Sequence, residues 1–207
     1  IGGGAGTNSN GSANVFLGAF SGANSDGNFN VFVGLRAGFD NESGNFGTFI
    51  GYESGYKSSG LHNTFLGYKS GANIEQNNNI GIGSFSGRVN RGESNVFLGV
   101  SSGEFNEGNE NVFLGNNTGA CNEGNENVFL GTQAGKQNTL GNSNVFIGNQ
   151  AGLSNTIGNK NIFIGNNSGG CNEGSFNTFL GFESGFENNA SNNVFLGYKA
   201  GANNDDG

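Results

Sequence analysis

The sequence predicts an all-β protein, a parallel β-solenoid (β-roll) of about twelve short coils. Three observations predict it. A unit of 16 or 17 residues repeats twelve times along the chain. Each copy carries one short β-branched and aromatic run bounded by Asn and Gly. Nowhere do apolar residues recur at helical spacing.

The copies open at Asn14, Asn30, Gly47, Asn63, Asn79, Asn95, Asn111, Asn127, Asn144, Asn161, Asn177 and Asn193. Residues 1–13 read as a partial leading coil and 14–207 as a single solenoid domain. The shared pattern is N-[VTI]-F-[LIV]-G-x-x-[SAT]-G, followed by a polar stretch. Its first Gly recurs from Gly18 to Gly197 and its second from Gly22 to Gly201. Phe holds the third position except in the fifth copy, which has Gly81.

Each element follows from that pattern. A run such as Val112-Phe113-Leu114 has strand propensity and is far too short for a helix. The Gly after it fits a corner needing positive φ. A second short strand is expected over x-x-[SAT]-G, and the Asn/Gly/Ser/Glu stretch returns the chain. Coils paired as parallel strands ~4.8 Å apart would build a rod of roughly 58 Å. The extra residue of the 17-residue copies belongs in the outer loop, where it disturbs no ladder. The opening Asn, stacked once per coil, is expected to form an Asn ladder along the rod; the competing reading is a turn-favouring Asn with no ladder.

Composition agrees with this and excludes much else. The 207 residues include 42 Gly and 20 Phe but no Pro, Met or Trp. Collagen would need Pro and Gly at every third residue, and disordered chains are poor in aromatics. The formal net charge of −8 argues against nucleic acid, whose phosphates demand a basic face. No apolar run approaches the ~20 residues of a membrane-spanning helix, so no membrane insertion is expected.

In the strand, side chains alternate between faces, so Phe113 points one way while Val112 and Leu114 point the other. Both faces are apolar. The opposite side offers one small residue per coil, such as Ser102, Thr118 or Ala134, which suits a thin interior. A second apolar row therefore emerges outside, larger than a soluble monomer ordinarily leaves open. Its simplest partner is the same row on another copy. A homotrimer is the expected assembly, with a dimer or larger bundle as alternatives. The competing reading is one wide monomeric solenoid that encloses all three side chains.

The run Asn144-Val145-Phe146-Ile147-Gly148-Asn149-Gln150-Ala151-Gly152 resembles the YadA-like head repeats of trimeric autotransporter adhesins and similar tail-fibre-like repeats. The resemblance implies a left-handed roll, three chains about one axis, and display outside the cell for attachment. Two features depart from it: the period of 16 or 17, and the large Phe at the central strand position.

Ile1-Gly2-Gly3-Gly4-Ala5-Gly6 matches the middle of a coil, and Gly207 falls where the next copy would open. Either a longer array or a head-to-tail filament subunit is consistent with those ends.

Chemical sites are sparse, and no catalytic, cofactor-binding or metal-binding residue is assigned. His62 lies in a loop without organised partners and reads as a solvated residue. Cys121 and Cys171 occupy the same position three coils apart, roughly 14 Å, beyond the ~7 Å Cα separation a disulfide allows. They read as free, with bonds between chains as the alternative. Asn-Glu-Gly recurs at 106–108, 122–124 and 172–174, where stacked oxygens suggest Ca²⁺. A turn with a solvated Glu is the simpler reading. The N-x-[ST] triplets at Asn10, Asn41, Asn116, Asn166 and Asn189 are expected by chance in so Asn-rich a chain.

The expected function is a structural, surface-exposed extracellular fibre or adhesin segment, not an enzyme, with variable loops for a surface receptor or glycan. The alternative is an ice-binding β-solenoid, against which stands the scatter of its eight Thr. A glycan-cleaving solenoid would need paired carboxylates in a cleft, and none are paired here.

Overall fold

The structure is a computed structural model that describes residues 1–204; Asp205, Asp206 and the terminal Gly207 lie outside the described residues. The chain divides into two compact units, Ile1–Phe105 and Asn106–Gly207. The first contains β1 (Val15–Leu17), β2 (Val31–Val33), β3 (Thr48–Ile50), β4 (Thr64–Leu66), β5 (Ile80–Ile82) and β6 (Val96–Leu98). The second contains β7 (Val112–Leu114), β8 (Val128–Leu130), β9 (Val145–Ile147), β10 (Ile162–Ile164), β11 (Thr178–Leu180) and β12 (Val194–Leu196). Within each unit the strands pair in parallel, in sequence order and in one register, so Phe32 lies beside Phe16 and Phe49, and Phe146 beside Phe129 and Phe163. The fold is thus all-β and solenoidal, one strand per coil.

Phe is the inward residue. Phe32, Phe49, Phe65 and Phe97 are fully buried in the first unit; Phe113, Phe129, Phe146, Phe163 and Phe179 are fully buried in the second. In-register pairing places each ring over the last. From Phe113 to Phe195 successive centroids stand 4.7–5.0 Å apart, with planes within 15° of parallel. The coil spacing dictates this geometry. Each buried ring stabilises the coil by about 1.5–3 kcal/mol. In the first unit Gly81 interrupts the column. Phe65 tilts to 26° against Phe49, and a Cβ on Gly81 would fall 2.6 Å from its ring.

The far side of each coil corrects the expectation of a second strand. Residues x-x-[SAT]-G and those after them form consecutive turns instead. In the second coil, backbone bonds close from Ala37 to Gly34 and from Phe39 to Arg36, with φ near +57° at Arg36 and +60° at Gly38. A positive φ at the third residue of each turn defines type II geometry. Coil-to-coil hydrogen bonds still run through the turns, as from Arg36 N–H to Ala19 and from Gly38 N–H to Ser54. Two things select turn over strand. The second Gly must adopt a left-handed φ, and the Phe ring lies flat on it. At Gly71 a Cβ would sit 2.1 Å from Phe65 Cδ2.

The insertion falls where expected. Asn122 reaches its loop Gly in two steps (Gly124), whereas Asn41, Asn138 and Asn155 need three (Gly44, Gly141 and Gly158). The extra residue sits in the corner loop, outside every ladder.

Candidate interaction surface

The surface begins from the strand alternation. With Phe inside, the residues on either side of it point outward and form two columns along the sheet. In the first unit these are Val15, Val31, Thr48, Thr64, Ile80 and Val96 beside Leu17, Val33, Ile50, Leu66, Ile82 and Leu98. The second unit repeats the plan from Val112 and Leu114 to Val194 and Leu196. Of the two options for the outer row, Phe or Val/Leu, the structure shows Val/Leu. No outward position carries a charge. Exposure is substantial: 46 % at Leu17, 42 % at Ile82 and 44 % at Leu130. Each unit therefore presents an uncharged strip on the order of several hundred Å², the scale of the largest patch on an ordinary monomer.

Two hydrogen-bonded columns beneath hold the face regular. The opening Asn does form a ladder, but mainly with backbone; a direct amide-to-amide bond joins Asn95 Nδ2 to Asn79 Oδ1 at 3.2 Å. The side-chain oxygen of Asn14 accepts from Asn30 N–H at 2.8 Å, that of Asn63 from Asn79, and that of Asn144 from Asn161. Its Nδ2 bonds a loop carbonyl one coil on, as from Asn144 to Gly158 at 2.9 Å.

A second, amide-to-amide ladder runs eleven residues after the opening Asn of the seven copies from Asn95 to Asn193, at Asn106, Asn122, Asn138, Asn155, Asn172, Asn188 and Asn204. Each Nδ2 donates to the previous Oδ1 at 2.7–3.2 Å, from Asn122 onto Asn106 through to Asn204 onto Asn188. The sequence reading missed this column. Its signal was the fixed offset of eleven, hidden inside a stretch that otherwise looks like a polar loop.

The other singled-out residues find structural places. The Asn of each Asn-Glu-Gly triplet is a member of that inner ladder. Its Gly packs so closely on the next coil that a Cβ on Gly108 would meet the Gly124 carbonyl at 1.8 Å. The triplet is therefore a corner whose first residue points inward. No cluster of three or more His, Cys, Asp or Glu suited to a metal occurs among the described residues.

His62, read from sequence as a solvated loop residue, is exposed but stacked on Phe46 at 4.9 Å, and Phe46 on Phe29 at 5.2 Å, so it joins an aromatic column. Tyr52 and Tyr68 stack likewise at 5.3 Å. Cys121 and Cys171 are free and exposed. Partial burial, and then the carboxylate of Glu187, push the Cys171 thiol up. Asn41, one of the N-x-[ST] triplets, is fully buried. Charged residues pair along the stack, with Glu53 between Arg36 (3.1 Å) and Lys69 (3.5 Å). These are screened surface pairs.

A scan of protein-family models and searches of curated proteins and solved structures find no match for the chain.

Proposed function

We propose that the chain is a structural, surface-exposed segment of an extracellular fibre or adhesin that assembles side by side with copies of itself through its outward Val/Leu face. The observation that carries this reading is the uncharged, two-column strip on every strand of both units. Leaving that strip in water forgoes about 25 cal/mol for each Å² of apolar surface. A second copy brings an identical 4.8 Å repeat, so side chains of two such sheets can interdigitate face to face at ~10 Å. Left-handed winding and three-fold symmetry are the forms the adhesin-like repeat pattern favours. The loops, where copies differ most, are the proposed contact for a receptor or glycan.

The test is solution mass with negative-stain imaging. The reading expects an oligomer, and expects Leu114→Glu with Leu130→Glu to release monomers that keep their circular dichroism spectrum. A monodisperse wild-type monomer would overturn it.

One observation favours a second reading, an ice-binding solenoid: the same face is regular and uncharged, with Thr48 and Thr64 outward on adjacent coils. Thermal hysteresis from a monomeric sample would select it.

A further inference from the structure

The inner Asn column is continuous in the second unit and altered in the first. At the equivalent positions the first unit has Ser25, Asn41, Ser58, Ile74 and Asn90. Ser25, Asn41 and Ser58 stack on three consecutive coils, and all three are fully buried. Each keeps a buried polar atom with no hydrogen-bond partner in the protein: Ser25 Oγ, Asn41 Nδ2 and Ser58 Oγ. Such a group costs about 1–3 kcal/mol, and three in a row at one place call for a ligand.

The chemistry of the three atoms selects the ligand. Asn41 Nδ2 is a donor and requires an acceptor, which repels a metal cation. No Lys or Arg belongs to this column to neutralise a buried anion. The serine hydroxyls both donate and accept. A Ser side chain is two heavy atoms smaller than the carboxamide it replaces, a difference of about one water's roughly 30 Å³ share. We propose that the first unit binds water inside its coils at Ser25 and Ser58. Each molecule takes the place of a ladder carboxamide, bonding the serine hydroxyl, with Asn41 Nδ2 donating to one of them. The second unit has no equivalent site, because carboxamides fill its column from Asn106 to Asn204.

The decisive measurement is the sign of a serine-to-alanine change in the full chain. If the hydroxyls anchor water, Ser25→Ala and Ser58→Ala each loosen it, lowering the thermal midpoint by about 2–4 °C. If the hydroxyls are dry and unpaired, alanine removes a buried cost, and the midpoint rises or stays. Either of those results overturns the proposal. A crystal structure at ~1.5 Å should show a solvent peak within hydrogen-bond distance of Ser25 Oγ and of Ser58 Oγ; its absence at both also overturns it.

Discussion

Side chains in left-handed backbone are the signature of this chain at the residue scale. The residue before each opening position has φ between +55° and +64°, from Ala13 to Asn192, and only non-Gly residues fill it. An L-residue there costs roughly 1–2 kcal/mol. Ser94, exposed and at φ 57°, has no reason to keep its side chain, so Ser94→Gly should raise stability by about 0.5–1 kcal/mol in chemical denaturation. Gly71→Ala should do the reverse and cost more than about 3 kcal/mol, since it combines left-handed strain with a ring at 2.1 Å. At Cys171 the raised thiol pKa sets reactivity. Timed iodoacetamide labelling at pH 7 should be slower than for a free cysteine peptide, and should accelerate as pH rises beyond the ordinary thiol range.

Each strand is three residues long and would be worthless alone, so its stability comes from the columns it joins. Removing one ring from the middle of the stack tests the apolar column. Phe146→Ala should cost about 3–5 kcal/mol, because rings fixed at 4.7 and 4.9 Å on either side cannot close the gap. The tilt of Phe65 toward Gly81 shows how far a neighbour does relax. For the polar column, Asn138→Ala deletes the bonds to Asn122 Oδ1 and to the Gly141 carbonyl, and takes away the acceptor of Asn155. A loss of about 2–3 kcal/mol in unfolding free energy is expected in chemical denaturation.

For the molecule as a whole, the two units follow the same coil plan but differ in their inner column. The second has an unbroken amide ladder, while the first is interrupted by Ser25, Ser58 and the apolar Ile74. Hydrogen exchange should therefore be slower in the corner loops after Asn122, Asn138 and Asn155 than in those after Ser25, Ser58 and Ile74. Mass spectrometry of peptic fragments reads the difference. Equal protection of the two sets would mean that the side-chain ladder adds nothing to the backbone bonds.

The repeat, its register and the strand at Val-Phe-Leu were legible in sequence, because periodicity, β-propensity and the fixed Gly are local properties of the chain. The placement of the one-residue insertion in the 17-residue copies was legible for the same reason. What closes the far side of the coil was not. Both a strand and a run of type II turns satisfy x-x-[SAT]-G, and only the ring lying on Gly71 and its equivalents decides for turns. The identity of the outer row was likewise open, since alternation says that Phe and Val/Leu face opposite ways without saying which way is in. Tertiary packing decided it. A flat ring fits a thin interior closed by Ser, Ala and Gly and stacks at the coil spacing, whereas the paired aliphatic side chains do not fit there and are left on the surface. The inner Asn ladder belongs to the same class. Its members are sixteen or seventeen residues apart in sequence, and they become one hydrogen-bonded column only when the coils stack.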